Sequence, residues 1–501
     1  MKAMKKTVLT VLCLVAFLFG AKAQDIDDRA QYHLNIARDL WYNSANAAGL
    51  AYSDMAMWRN VWLGYDLASG KFTDAWGART QSSLSLAGDM LMDIDGYKIA
   101  AKVGLGNRHL TKCRYNTSLY EVSWDMPYFV ALNSDEPFVW NQLHTSLDVS
   151  ASTPLFLDDM LSVGVNLKLD ILGATKKEEP NCRYRGLAME LLPSATFAID
   201  EDNIVGLSVG YKMKPSRSAV GTGETVSNVV FLKGLGSLDY RLAGGNLGIA
   251  PIEYSSGAFA VALDYKRVAD VSDWLFELTF DKCKTTVFED EKRVGAVDKF
   301  LTGLSAKGLF GESRSRILSF SVLHNLNYWI EGALATTKSI NNQFDANLDY
   351  TVYTGVDESG SFDWTFGLGT DVRVLNYKRY VPDGRFSVVN ILPYAFLGKN
   401  LVLTKEQSLL ARFNMGYNFS AGSKYEYSGD AAGNRIVGYM YDDEIDYLGS
   451  YYLRTTLDVD YTYRLNTILA PYASLGIGLL TPMSSGAGSR FIMSLKVGVL
   501  F

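Results

Sequence analysis

The chain of 501 residues carries 48 lysines and arginines against 54 aspartates and glutamates, a formal net charge of −6 that indicates no basic face for nucleic acid. With 48% hydrophobic and 20% charged residues and a mean hydropathy of +0.01, its composition resembles that of an ordinary soluble protein. The longest largely apolar run after residue 23 is interrupted by Pro471 and Ser474, so no helix of about 20 residues is expected to span a membrane.

The first 23 residues have the features of a secretory signal peptide. Three lysines lie within the first six residues, an apolar run extends from Val8 to Gly20, and the small residues Ala21 and Ala23 precede Gln24. The mature chain is therefore predicted to begin at Gln24. Its three cysteines are too widely spaced to predict a disulfide framework or a CxxC metal motif: Cys113, Cys182 and Cys283.

The next segment, 24–56, is predicted to contain a short amphipathic helix over 27–45, because apolar residues recur there at helical spacing behind two aspartates. Residues 46–51 then read Asn-Ala-Ala-Gly-Leu-Ala. This run resembles the Asn-Pro-Ala-Gly-Leu motif of the long-chain fatty-acid transporter family, with Ala47 in place of proline. The resemblance implies that 24–56 plugs the lumen of a barrel, with Asn46, Gly49 and Leu50 in the plug. The alternative is a helix that lies in the periplasm or the lumen without a gating role.

Residues 57–501 repeat one pattern, in which apolar and polar side chains alternate over about 11 residues. It is clearest in 161–171, 205–213, 364–374, 409–419 and 451–464. Strands of this length are typical of tilted bilayer crossings, and alternation places one face in lipid and the other in a polar interior. Eighteen candidate strands follow, one of them centred near residue 78. The sequence therefore predicts an all-β protein, a transmembrane antiparallel β-barrel of 14–18 strands with a short N-terminal helical segment.

The connections between the predicted strands are of two kinds. Tight turns occur at 201–203, 358–360, 382–384 and 405–407, whereas 108–136, 216–255 and 421–449 are long. Short turns on one side and long loops on the other are usual in outer-membrane barrels, whose long loops face outside the cell. The last strand, 491–501, ends on the aromatic Phe501, as such barrels do.

Charged residues of both signs alternate with the apolar face in these strands. Nine bases and eight acids are predicted to face the lumen, and such a balance favours a weakly selective channel or a narrow, occluded barrel over a strongly selective pore. The main candidates are Lys168, Asp170, Asp371, Arg373, Arg412, Arg454, Asp458, Asp460 and Arg464.

Two features invite a catalytic or metal-binding interpretation. His144 and Ser146 resemble the catalytic strand of outer-membrane phospholipase A, but the neighbouring apolar stripe turns them into the lumen, and the Asn-Gly that follows the serine in that family is missing. An acidic cluster at 442–446 suits a solvated loop, with a divalent-cation site as the alternative. We therefore expect neither a catalytic site nor a cofactor.

Over its whole length the chain resembles the uncharacterised outer-membrane barrels of Bacteroidota. The resemblance implies an outer-membrane location, contact with outer-membrane lipid and, as a partner, a TonB-dependent transporter or a surface lipoprotein. Two functions are predicted: passage or uptake of a small solute or lipid through a plugged or narrow lumen, or a non-transporting accessory barrel that docks a transporter, lipoprotein or secretion complex.

Overall fold

A computed structural model describes residues 28–114, 137–176, 178, 181–221, 229–232, 240–243, 251–332, 337–357, 360–380, 383–427, 443–466, 469–484 and 488–501. The predicted signal peptide lies outside these residues, as do large parts of the three long loops and of the turns at 358–360 and 382–384. No helix among the described residues is long and apolar enough to cross a membrane.

Eighteen strands form the wall of the molecule. They are β1 (Trp58–Gly70), β2 (Thr80–Ile94), β3 (Tyr97–Cys113), β4 (Phe138–Ser152), β5 (Leu161–Lys176), β6 (Asn181–Ala198), β7 (Asn203–Met213, continued as Ser216–Gly221), β8 (Ile252–Ala269), β9 (Ser272–Glu289), β10 (Lys292–Phe310), β11 (Arg316–Glu331), β12 (Thr337–Thr354), β13 (Trp364–Tyr380), β14 (Asp383–Val402), β15 (Gln407–Tyr427), β16 (Tyr452–Tyr463), β17 (Ala470–Pro482) and β18 (Arg490–Leu500).

Four smaller elements of the described residues lie outside the wall. Helix α1 (Arg29–Arg38) and a 3₁₀-helix (Ala47–Tyr52) precede β1. A separate hairpin joins Val229–Leu232 to Tyr240–Ala243, and 443–448 form a short helix between β15 and β16.

The sheet closes on itself because β1 pairs antiparallel with both β2 and β18. At the seam Arg59 and Phe501 exchange two backbone hydrogen bonds of 2.7 and 2.9 Å. The predicted barrel is confirmed, with the highest strand number of the predicted range. One predicted centre is wrong: residue 78 lies before β2, in a segment whose apolar side chains Phe72, Ala75 and Ala78 are buried at the end of the barrel.

The wall has an apolar outside and a polar inside. Large apolar side chains are exposed along the strands, such as Leu63, Leu84 and Leu368, which is 66% exposed. The alternate positions turn inward and bring charged and small residues into the lumen. This arrangement is that of a barrel in lipid, in which closure also pairs every strand edge.

The two ends of the barrel differ. At one end, here called the terminal rim, β1 begins, β18 ends, and turns as short as Asp95–Gly96 join the strands. At the other end, the loop rim, the connections 114–137, 222–251 and 428–451 are long. The helix at 443–448 lies there, where buried Glu444 accepts a 3.0 Å hydrogen bond from the Ala75 N–H.

Candidate functional site

Residues 28–56, here called the plug segment, fold inside the barrel at the terminal rim. Asp28 caps α1 by accepting a 2.8 Å hydrogen bond from the Gln31 N–H. Apolar side chains of the segment then pack against three separate parts of the wall. Tyr32, Tyr42 and Leu50 meet Leu91, Tyr472 and Leu500; Leu40 and Trp41 meet Ile204, Leu275 and Leu309; Ala30 and Leu34 meet Phe362 and Leu410.

Asp39 shapes the turn that follows α1. Its Oδ1 accepts hydrogen bonds from the backbone N–H groups of Trp41 (2.8 Å) and Tyr42 (2.6 Å), and its Oδ2 accepts one from the Ser53 hydroxyl. Two lysines of the wall also bind this turn. Lys307 Nζ donates to the Asp39 carbonyl at 2.6 Å, and Lys98 Nζ donates to the Ser53 carbonyl. The turn is thus fixed both internally and to the wall.

Asn46 joins the plug segment to the opposite wall with a fully buried amide. Its Oδ1 accepts from the Ala48 N–H at 3.1 Å and so caps the 3₁₀-helix. Its Nδ2 donates to Asp264 Oδ2 at 2.9 Å, while the adjacent Ala45 N–H donates to Glu277 Oε2 at 2.7 Å. An amide suits this position because the site needs one acceptor and one donor on the same side chain.

The wall has glycines where the plug segment approaches most closely. A Cβ on Gly164 would lie 2.4 Å from the Ala48 nitrogen, and a Cβ on Gly206 would lie 2.3 Å from Asn46 Nδ2. Within the plug segment itself, a Cβ on Gly49 would lie 2.0 Å from the Trp41 ring. These three positions need glycine for close approach, and the predicted gating role of Gly49 stays a prediction.

Asp89 on β2 anchors the start of the segment. It accepts 2.8 Å hydrogen bonds from the Tyr32 hydroxyl and from the Trp58 ring nitrogen. Burial raises the pKa of Tyr32, and the nearby Asp89 raises it further, so the phenol stays protonated and donates. The two aromatic rings also meet edge to face, with centroids 5.8 Å apart.

Asp460 on β16 provides a further anchor. It lies 3.6 Å from Arg29 Nε and 3.5 Å from His33 Nε2. The Arg29 guanidinium is also placed between two aromatic rings, 4.7 Å from Tyr32 and 4.6 Å from Tyr472. At Asp89 and Asp460 the wall thus supplies a carboxylate, and Tyr32, Arg29 and His33 of the plug segment are its partners.

Eight of the nine predicted lumen-facing residues line three cavities inside the barrel. A cavity of about 330 Å³ includes Lys168 and Asp170, one of about 490 Å³ includes Asp371, Arg373 and Arg454, and one of about 310 Å³ beside α1 includes Arg412, Asp458 and Asp460. Arg464 is different: β16 ends at Tyr463, and Arg464 lies in the turn at the terminal rim, where its N–H donates to the Glu406 carbonyl. The predicted lumen-facing role of Arg464 stays a prediction.

Each of these cavities is lined by both signs of charge. Lys212 Nζ lies 2.9 Å from Asp281 and 3.5 Å from Glu190, which also lies 3.6 Å from Lys168. On another part of the lining, Arg373 pairs at 2.8 Å with Asp345 on the neighbouring strand, and Arg454 of β16 pairs with Asp371 of β13 at 3.7 Å. The lining therefore consists of cross-strand ion pairs rather than a ring of one sign.

The residues considered for catalysis or metal binding have other contacts. His144 Nε2 lies 3.1 Å from Asp170 Oδ1, and both face the lumen. In the acidic cluster, Asp443 pairs with Arg114 at 2.7 Å and Glu444 is buried against Ala75; Asp442 lies outside the described residues. Within the described ranges no group of three or more His, Cys, Asp or Glu side chains is placed to hold a metal ion.

Several residues of the site were not singled out from the sequence. Asp39, Asp89 and Ser194, whose Oγ accepts from the Ala48 N–H at 3.0 Å, carried no motif. Gly164 and Gly206 did carry a signal, because each interrupts the polar face of a long alternating strand, where a glycine often marks the close approach of another backbone.

A closed barrel with an apolar exterior, a charged interior and a chain segment folded into its lumen defines the class of bacterial outer-membrane barrels. Residues 47–501 match the family of unknown function DUF6850, and the chain belongs to that family. The match includes the 3₁₀-helix of the plug segment and all 18 strands. The likeness to Bacteroidota barrels stays a prediction.

A comparison with curated proteins finds no match. Among solved structures, the ferric preacinetobactin receptor BauA from Acinetobacter baumannii is 7% identical over 87% of this chain and 80% of its own, with a TM-score of 0.42. The outer membrane protein OpdK from Pseudomonas aeruginosa is 9% identical (89% and 99%, TM-score 0.37), and a FadL homologue from the same species is 10% identical (96% and 99%, TM-score 0.36). The fold assignment rests on the strand pairing of the chain itself.

Proposed function

We propose that this protein is an outer-membrane barrel that passes a small polar solute through its lumen, and that the plug segment closes the end of the barrel at the terminal rim. The observation that carries this proposal is the set of polar anchors between the plug segment and the wall. Hydrogen bonds and ion pairs with Asp89, Asp264, Glu277 and Asp460 hold the segment. Water can replace each such contact at small net cost, unlike the contacts of a continuous apolar core.

The lining of the cavities supports a polar solute. Acids and bases alternate around the lumen in pairs, and a solute that carries both signs or many hydroxyl groups can exchange hydrogen bonds with such pairs. A long apolar tail would displace water from these charged pairs and offer them no hydrogen bonds in return. We therefore favour a small polar solute over a lipid.

Planar-bilayer conductance tests the proposal. We expect the full-length protein to stay closed and a variant lacking residues 28–56 to conduct, because the deletion removes the only described segment of the chain inside the terminal rim. A deletion variant that folds, as judged by its heat-modifiable migration in gels, and still does not conduct would contradict the proposal.

A point variant tests the same idea with less disturbance. Gly206→Ala places a methyl group 2.3 Å from Asn46 Nδ2 and should displace the plug segment, because overpacking of this kind costs about 1–3 kcal/mol. We expect more frequent channel openings. Gly106→Ala is the matched control, because this glycine also lies on the wall and its added Cβ would meet nothing closer than 3.8 Å.

The second candidate function is an accessory barrel that docks a transporter or lipoprotein. The number of polar contacts that tie the plug segment to the wall favours it. A segment tied to β2, β8, β9, β10 and β16 is suited to permanent closure. Copurification of a second outer-membrane protein in stoichiometric amounts, together with a deletion variant that never conducts, would support this alternative.

A further inference from the structure

The outer surface of the barrel carries a group of arginines that the lumen does not explain. Arg183 and Arg185 lie on β6, Arg217 lies on the continuation of β7, and all three are exposed. They alternate along these strands with buried Cys182, Tyr184 and Ser218, whose side chains are on the inner face. The three arginines, here called the arginine trio, therefore point away from the lumen.

The trio is compact. Arg185 lies directly opposite Arg217 in the strand register, and Arg183 is two residues further along β6. With a rise of about 3.3 Å per residue and about 4.8 Å between strands, their Cα atoms form a triangle with sides of about 5–8 Å. Guanidinium groups on such a triangle can converge on one tetrahedral oxyanion.

The charge of the trio is incompletely balanced by protein. Like charges directly opposite each other destabilise a strand pair. Glu253, opposite Arg217 on β8, lies 3.3 Å from its Nε. No carboxylate of the described residues pairs with Arg183 or Arg185. Among the described residues the group thus keeps an excess of positive charge.

The trio lies at the edge of the apolar band. On β6 the outward positions toward the terminal rim are all apolar: Leu187, Met189, Leu191, Pro193, Ala195 and Phe197. These span 11 residues, about one bilayer crossing for a tilted strand. The arginines therefore lie just beyond the apolar band, on its loop-rim side. This is the depth of the lipid headgroups, where charged side chains on the outer face are tolerated.

Other parts of the outer surface differ, although Lys282 and Lys284 on β9 are also outward and exposed, with Asp298 of β10 opposite Lys284. The outward positions of β2, β4, β5 and β16 to β18, all of them described strands, hold no lysine, arginine, aspartate or glutamate. A second pair of basic residues, Lys378 and Arg385, also lies opposite each other in the strand register. Two carboxylates accompany this pair. Glu426 lies opposite Arg385, and Asp383 lies two residues before Arg385, opposite Tyr380. That group is balanced, and the arginine trio is not.

We propose that the arginine trio binds the phosphate of a lipid headgroup in the leaflet at the loop rim. Arginine suits this role because its planar fork of donors binds phosphate oxygens in pairs and loses little hydration. The inference rests on the insertion of the barrel in a membrane, and it is independent of whether the lumen passes a solute.

Native mass spectrometry of the purified barrel in detergent, titrated with diphosphoryl lipid A, tests the proposal. We expect the wild-type protein to retain the lipid and the triple variant Arg183→Gln, Arg185→Gln, Arg217→Gln to bind it about a hundredfold more weakly, since each base at an anionic lipid surface contributes about fivefold. The control, Lys378→Gln with Arg385→Gln, should bind as the wild type does. Heat-modifiable gel migration verifies that each variant folds.

Two results would overturn the proposal. One is retention of diphosphoryl lipid A by the triple variant within about threefold of the wild type. The other is equal affinity of the wild type for inorganic phosphate and for the lipid, which would make the trio a site for a free anion. Neither result depends on conductance, so failure of this proposal and failure of the channel proposal can be told apart.

Discussion

Asn46 is the residue on which the contact between plug segment and wall depends most directly. Its buried amide faces two acids, because Asp264 and Glu277 are register partners on β8 and β9 and both accept hydrogen bonds from the segment. Two adjacent carboxylates need donors between them to stay close. The amide nitrogen of Asn46 and the Ala45 N–H supply these donors, so an almost isosteric carboxylate in place of the amide is expected to be repelled.

Exchange of that amide for a carboxylate tests the arrangement. Asn46→Asp keeps the acceptor that caps the 3₁₀-helix but brings a third carboxylate beside Asp264 and Glu277. We expect release of the plug segment at neutral pH, measured as increased proteolysis of the segment in the folded barrel. Asp264→Asn in the same chain should restore protection. Unchanged proteolysis of the single variant would show that Asn46 does not hold the segment.

At the scale of elements, the strands follow from the sequence far better than the inner site does. Alternation is local and is set by the lipid on one side and the lumen on the other, so 17 of the 18 predicted centres fall within observed strands. The placement of Asn46 against Asp264 depends on contacts across 218 residues, which no local pattern encodes. Of the predicted helix at 27–45, only Arg29–Arg38 is helical, because Asp39 ends it by binding the following N–H groups.

The short helix at 443–448 gives a prediction for the loop rim. Glu444 is 4% exposed and accepts from the Ala75 N–H, while Phe72 packs on Tyr447 with ring centroids 5.1 Å apart. Glu444→Ala leaves the Ala75 N–H unpaired and should loosen the helix by about 1–3 kcal/mol. Faster hydrogen exchange in 443–448 and in 72–78 would follow. Glu201→Ala, at an exposed turn, is the control and should leave exchange in both segments unchanged.

For the molecule as a whole, the charge of the lumen predicts the behaviour of an opened barrel. Six of the predicted inner charges lie in ion pairs, and further inward residues of both signs line the lumen, among them Glu190, Asp345 and Lys307. A lining without excess charge gives weak selectivity. For the variant lacking residues 28–56, we expect a potassium-to-chloride permeability ratio of order one, measured as a reversal potential near zero in a salt gradient. A strongly shifted reversal potential would contradict the balanced lining.

The seam between β1 and β18 also has a consequence for the order of assembly. One apolar cluster joins the start of the described chain to its end: it contains Tyr32, Leu50 and Trp58 together with Tyr472 and Leu500. In addition, the Tyr472 hydroxyl donates a hydrogen bond to Asn60 Oδ1, a residue 412 positions earlier in the chain. Contacts this distant along the chain form late, because closing so long a loop costs conformational entropy before it gains any bond. The plug segment and the hairpin of β17 and β18 must therefore meet in the final step of assembly. When β18 pairs with β1 and the barrel closes, the plug segment is enclosed in the lumen.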